Sequence, residues 1–229
     1  DLVGALRKKK YLDLLPEYNG IAYLEGAARL SGAGVLVNNS PVAAGKIIIA
    51  TGASPAMPGI PGIENVAYLT STTALELTQQ PGSLLVIGGG YVGCELAQMF
   101  ARTGTVVIMV TRSRLLPEAE PEIAQALARY LDDEGITVRT GLSYSRIESR
   151  DGEVTLTIDV DGRTETLTAE RVLVTTGRMP NTADLGLEEA GIKLAPNGGI
   201  VVDDRMRTSK SGVYAAGDVT GRDQFVYMA

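Results

Sequence analysis

Histidine is absent from the 229 residues. Its absence removes Ser-His and Cys-His nucleophile pairs and any histidine-based metal site. Cysteine occurs once, as Cys94. One cysteine excludes an internal disulfide framework and a multi-cysteine zinc site. No apolar stretch approaches the roughly 20 residues that a membrane-spanning helix needs. No signal-peptide core follows the early lysines, so a cytoplasmic setting is the expectation. Basic blocks are lacking as well. The formal charge is −6 and the only basic run is Lys8-Lys9-Lys10, which argues against a nucleic-acid binder. That run precedes Tyr11-Leu12-Asp13 and reads as a solvated helix face. Solenoid-period repeats and low-complexity tracts are also missing.

What remains is an ordinary globular composition, 45% apolar and 21% charged, long enough to bury one large core or two smaller ones. One stretch stands out, Ser83-Leu84-Leu85-Val86-Ile87-Gly88-Gly89-Gly90-Tyr91-Val92-Gly93-Cys94-Glu95. Leu84 to Ile87 reads as a buried strand. Gly88, Gly90 and Gly93 follow in G-x-G-x-x-G spacing. Leu96, Met99 and Phe100 then open a helical pattern. Gly88 suits the tight turn, Gly90 lets backbone approach a pyrophosphate, and Gly93 lets the helix pack closely on the strand. The helix N-terminus offers amide groups and a positive dipole end to phosphates. A second strand, Thr105 to Val110, completes a βαβ unit. Arg112 and Arg114 follow it, with no acidic residue at the strand end. Folds specific for NAD place an acid there, whereas folds specific for NADP place arginine near the 2′-phosphate, so NADPH is expected, with a solvated basic pair as the plainer reading.

The rest of the chain supplies further elements. Leu2 to Leu15 has helical spacing and stops at Pro16. Ile21 to Leu30 and Val35 to Asn38 read as a hairpin about Ser31-Gly32-Ala33-Gly34. Lys46 to Ala50 is a buried strand that ends in Thr51-Gly52. Pro55, Pro58 and Pro61 make a rigid connector, and Thr72 to Thr78 a short helix. Pro121 opens a helix that Gly135 closes, and strand Ile136 to Arg139 follows. Val154, Leu156, Ile158 and Val160 alternate with polar residues between Asp151-Gly152 and Asp161-Gly162, which are hairpin turn signals. Arg171 to Thr175 and Gly199 to Val202 are further strands. This order suggests an α/β protein with a domain near 77–180 inserted between two pieces of another, 1–76 and 181–229.

Three motifs together resemble the FAD-dependent pyridine nucleotide disulfide oxidoreductases. They are Ala50-Thr51-Gly52, the glycine loop with Glu95, and Thr176-Gly177-Arg178-Met179-Pro180-Asn181 joined to Gly212-Val213-Tyr214-Ala215-Ala216-Gly217-Asp218. The resemblance includes the opening Asp1 to Leu12 and the closing Thr220 to Tyr227. It implies a Rossmann-like NADPH domain, a parallel sheet plus β-meander, inserted into a partial FAD-binding domain. It also implies an internal fragment. The first flavin glycine loop, the redox-active C-x-x-x-x-C pair and a C-terminal dimerisation domain would lie outside 1–229. No catalytic residue is then expected in this chain, and the parent would be a homodimer.

The roles implied are specific. Gly52 and Asp218 would serve the flavin, Asp218 by accepting a hydrogen bond from the ribityl chain. Gly177 and Gly217 count among the cofactor-binding residues, and Gly52 and Gly177 also read simply as strand-ending turns. A helix N-cap is the plainer use of Asp218. Tyr91 would gate the nicotinamide pocket or simply pack at the helix start. Glu95 would pair with a lysine near the flavin, although a first-turn acid is favourable in any case. Cys94 reads as a small buried hydrophobe. The parent would pass a hydride from NADPH to FAD and electrons on to a disulfide, whose thiolates hold Hg²⁺, a soft ion, during its reduction. Another reductase of the family, such as lipoamide dehydrogenase, is one alternative. For the isolated chain, a non-catalytic dinucleotide-binding module is another.

Overall fold

The structure is a computed structural model that describes residues 2–32, 34–222 and 224. Asp1, Ala33 of the expected hairpin turn and most of the closing motif after Arg222 lie outside the described residues. The chain divides into two compact units, 1–52 with 180–229, and 53–179. Among the described residues no helix is long and apolar enough to cross a membrane.

The first unit opens with α1 (Leu2–Arg7), which runs into a π-helical turn over Lys8–Leu12. The expected helix to Leu15 therefore loses its regular register after one and a half turns. Pro16 sits inside a 3₁₀ turn, Leu15–Glu17. Strand β1 covers only Ala28–Ser31, shorter than the expected Ile21 to Leu30. Ile21, Tyr23 and Leu24 are all more than half exposed, so no buried face holds that segment extended. Conversely, β2 (Gly34–Val37) continues into β3 (Ser40–Val42). Their turn is Asn38-Asn39, both at positive φ, the conformation a two-residue hairpin of matching twist requires. Strand β4 (Ile47–Ile49) follows.

The second unit is built on a five-stranded sheet. Strand β5 (Ala53–Pro55) leads into it, and β6 (Tyr68–Leu69) forms one edge. The sheet thus begins before residue 77. Helix α2 (Ser71–Ala74) is a single turn with a Thr70–Thr73 capping box, shorter than expected. Then come β7 (Ser83–Ile87), α3 (Tyr91–Arg102), β8 (Val106–Val110), α4 (Pro121–Asp133) and β9 (Thr137–Arg139). A meander follows, β10 (Ser143–Arg150), β11 (Glu153–Val160) and β12 (Arg163–Ala169). Strand β13 (Arg171–Val174) returns to the sheet, and β14 (Arg178–Pro180) ends the segment. The strand order is β6-β13-β7-β8-β9, every neighbour parallel.

A sheet covered on both faces needs continuous apolar strands, and β7 is one. Leu85 and Ile87 face the meander, where they meet Leu156 and Ile158. Leu84 and Val86 face the other side, packing with Phe100 and Leu131 from α3 and α4. Leu84 to Ile87 and Leu156 have no measurable exposure. At Asp151-Gly152 and Asp161-Gly162 all four residues have positive φ, as the hairpin signals required. The proline-rich connector is more than a spacer. Ile60, Ile63 and Val66 are buried in the core under the meander, and Pro61 O accepts the Ile147 N–H at 2.9 Å.

The chain then returns to the first unit. Strand β15 (Val213–Ala215) lies parallel to β4, with Val213 opposite Ile47. Leu30, Ile49, Ile200 and Val213 share its core. The expected strand Gly199 to Val202 is reduced to an isolated bridge between Leu194 and Ile200.

Candidate nucleotide-binding site

The carboxyl end of β7 turns sharply through Gly88, whose φ is +118°. A Cβ there would fall 2.4 Å from Thr175 O, so the turn excludes any other residue. Gly93, in the first turn of α3, is equally confined. A Cβ would lie 2.3 Å from Gly88 O and 2.7 Å from Thr175 Oγ1. Gly90 differs, because a Cβ there would meet nothing within 4 Å among the described residues. It is the N-cap of α3 and offers no side-chain cap, and the first helical bond runs from Cys94 N–H to Gly90 O at 3.0 Å. The outcome is a loop tight at Gly88 and Gly93 and open at Gly90, above a helix start. An anion's requirements are donors and room for close backbone approach, and the loop meets both.

Thr175 stitches this turn together and was not singled out from the sequence. Its N–H donates to Ile87 O at 2.8 Å, and its hydroxyl lies 3.1 Å from Ile87 O and 3.3 Å from Gly88 O. Across the sheet, Val110 O accepts the Gly88 N–H at 2.9 Å. The carboxyl ends of β13, β7 and β8 are thus locked to one another.

Beyond β8 the two expected arginines part company. Thr111 is buried and its N–H donates to Arg139 O at 2.9 Å. Arg112 is exposed. Its charge reaches Tyr144, whose hydroxyl is pushed up to about 12, mainly by burial and against the pull of Arg112. Arg114 is half-buried, and its Nη2 donates to Pro117 O at 2.9 Å and Ala119 O at 2.7 Å. Its Nη1 is buried with no hydrogen-bond partner among the described residues. Arg114 therefore braces its own loop, in contrast to the expected place beside a phosphate.

Tyr91 and Glu95 both sit in the first turns of α3 and are exposed. Cys94, between them, is buried. Burial first, and the Glu95 charge second, push its thiol up to about 11. Its Sγ lies 3.7 Å from Gly89 O. A thiol held this far above neutral pH is a poor nucleophile and metal ligand.

In the first unit, the other motif residues gather at one sheet edge. Ala50-Thr51-Gly52 follows β4 and Ala216-Gly217-Asp218 follows the parallel β15, with Ala216 N–H donating to Ile49 O at 3.0 Å. Gly52 and Gly217 have φ of +70° and +74°. Asn181 clips onto the Thr51-Gly52 turn. Its N–H donates to Gly52 O at 2.9 Å, its Nδ2 to Thr51 O at 2.8 Å, and Thr51 Oγ1 donates to Asn181 O at 2.7 Å. Two motifs 130 residues apart in sequence are one hydrogen-bonded turn. Asp218 is half-buried in a 3₁₀ turn, Gly217–Thr220. Gly177 belongs to the second unit, with φ of +124°, and its carbonyl accepts the Ala56 N–H.

The described fold is that of a flavoprotein disulfide reductase. The HOCl-induced flavoprotein disulfide reductase RclA from Escherichia coli superposes with a TM-score of 0.89 at 34% identity, covering 99% of this chain and 52% of that one. Residues 5–229 match the family model described as pyridine nucleotide-disulphide oxidoreductase, and the chain belongs to that family. Mercuric reductase of Staphylococcus aureus is 43% identical over 230 residues, which cover all of this chain and 42% of the relative. Mercuric reductase of Streptomyces lividans is 43% identical over 235 residues, 100% of this chain and 49% of the relative. The chain thus spans less than half the length of these relatives, and a family fold of this kind implies a flavin and a pyridine nucleotide.

Proposed function

We propose that this chain is the cofactor-handling portion of an NADPH-dependent mercuric reductase. The second unit would bind the nicotinamide dinucleotide and the first would contribute part of an FAD site. The observation that carries the reading is the glycine loop. Gly88 and Gly93 are confined by Thr175 and Gly88 backbone, while Gly90 opens onto unfilled space at a helix N-terminus. A pyrophosphate would lie over Gly90 and accept from the amides of the first helical turn. Arg112, exposed past β8 with no acid next to it in sequence, would hold the 2′-phosphate. Arg114 would keep that loop in shape.

In the first unit, Gly52, Gly217 and Asp218 share the carboxyl edge of β4 and β15, where Asp218 would accept from the ribityl hydroxyls. Gly177 would allow close backbone approach, and Tyr91 and Glu95 would border the nicotinamide end. When bound, the two cofactors supply hydride and electron transfer toward a disulfide. The protein's part is to orient them and exclude water. The identity to two mercuric reductases supports Hg²⁺ as the substrate of the whole enzyme. Paired thiolates suit so soft an ion, and the one buried cysteine here does not provide a pair.

The test is a titration of NADPH and NADH against the chain and Arg112→Glu. A charge-assisted contact is worth about 1.5–3 kcal/mol, so NADPH should bind roughly tenfold or more tighter than NADH. The variant should lose that preference and keep its NADH affinity. Equal affinities in the wild type, or an unchanged preference in the variant, would overturn the reading.

A further inference from the structure

We infer that Arg139 is a second cation that reads the 2′-phosphate, and that Glu165 opposes it by charge. The inference rests on the NADPH reading above, and its evidence is separate from the glycine loop. Arg139 ends β9 directly opposite Val110, the last residue of β8. Parallel partners in register point to the same face, and Val110 faces the meander. Arg139 does too, since its guanidinium pairs with Glu165 on β12. Arg112 stands two residues beyond Val110, and its charge is felt by Tyr144, whose hydroxyl donates to Val110 O at 3.3 Å. The Thr111 N–H bond to Arg139 O ties the two strand ends together immediately before Arg112. Tyr144, Arg139 and Glu165 thus meet at one corner, the carboxyl edge of β8 and β9 on the meander side, and Arg112 follows that edge two residues past Val110.

This corner suits a phosphate monoester better than Arg114 does. Arg114 Nη2 is spent on Pro117 O and Ala119 O, and its Nη1 is sealed from solvent. The Arg139 side chain keeps 37% exposure and Glu165 keeps 41%. Nη2 of Arg139 engages the carboxylate. A guanidinium carries five donors in a fixed fork, so one carboxylate does not exhaust it. A dianionic phosphate could share Arg139 with Glu165, but the carboxylate charge would work against it.

Two substitutions that both break the ion pair separate this role from a structural one. Arg139→Gln removes the cation, and Glu165→Gln removes the opposing charge. The probes are 2′,5′-ADP against 5′-AMP and NADPH against NADH, titrated into the 229-residue chain by calorimetry. Arg139→Gln should weaken 2′,5′-ADP and NADPH about tenfold, and Glu165→Gln should tighten them a few-fold, with 5′-AMP and NADH unmoved. If both variants shift affinity the same way, or neither does, while Arg112→Glu still abolishes the NADPH preference, the pair is structural and this inference falls alone. If the wild type shows no preference for the 2′-phosphate, the NADPH reading falls and takes this inference with it.

Discussion

Gly90 and Gly93 lie one helical turn apart and answer to different constraints, which makes the pair a test of the site. Alanine at Gly93 would drive its Cβ into Gly88 O and Thr175 Oγ1, both parts of the locked strand ends. Overpacking of that kind costs about 1–3 kcal/mol, so Gly93→Ala should lower Tm by several degrees. Alanine at Gly90 meets nothing. Its backbone, φ −78° and ψ −178°, is open to any residue, so Gly90→Ala should melt like the wild type. What it loses is the space a pyrophosphate would fill, and NADPH binding should weaken at least tenfold. Thermal melts and nucleotide titrations on the two variants check both halves. A Gly90→Ala chain that binds normally would mean the opening is not a ligand cradle. At this scale the sequence was most informative for Gly88 and Gly93, because spacing encodes the turn and the packing. It was silent on Thr175 and Arg139, whose partners come from other strands.

Elements differ in how far local residues determine them. The run β7–α3–β8 was legible to within a residue or two, since Leu84 to Ile87, Leu96, Phe100, Val107, Met109 and Val110 are buried on the two sheet faces. The meander was legible too, because two Asp-Gly turns and strict alternation agree. The segments that departed lack such agreement. Ile21 to Ala27 has strand-like composition but no buried face, and the connector through Ile60 looked like spacer because prolines conceal an apolar triplet. The turn Asp203–Arg207 is a local device with a pH signature. Asp203 Oδ1 accepts the N–H groups of Arg205 and Arg207, both at 2.9 Å, and Oδ2 accepts Arg207 Nε at 2.7 Å. The Arg207 side chain first, and its backbone N–H second, lower the Asp203 carboxyl from 3.8 to about 2. A lowered folded-state value stabilises above the unfolded value and is lost as pH falls through the folded one. Asp203 should therefore contribute fully above about pH 4 and fade toward pH 2. Comparing the Tm of wild type and Asp203→Asn across that range should show a gap that closes on acidification. A gap of constant size would rule out the charged cap.

The whole molecule joins two units through one chain, the second inserted between the halves of the first. Each unit carries its own strand-ending motif, Gly52 with Asp218 in one and the glycine loop in the other, while the division falls after Gly52 and not at the expected residue 77. The same arrangement sets what the chain can do alone. Reduction of Hg²⁺ by NADPH needs two sulfurs that hold the ion and a path for electrons to it. Cys94 is the sole sulfur of the right kind, and it is buried in the packed side of α3 with its thiol raised to about 11. At neutral pH a thiol with that value is roughly one part in ten thousand thiolate, too little to capture the ion quickly. Reaching Cys94 also requires opening a core that includes Leu96, Ala97 and Phe100. The 229-residue chain should therefore bind NADPH without oxidising it when Hg²⁺ and an added thiol are supplied. Cys94→Ala should behave identically in that assay and should bind NADPH as the wild type does. The measurement is NADPH absorbance against time for both proteins, with and without FAD. Mercury-dependent oxidation by the wild type that disappears in Cys94→Ala would make Cys94 the working sulfur, and would overturn its reading as a packed, inert side chain.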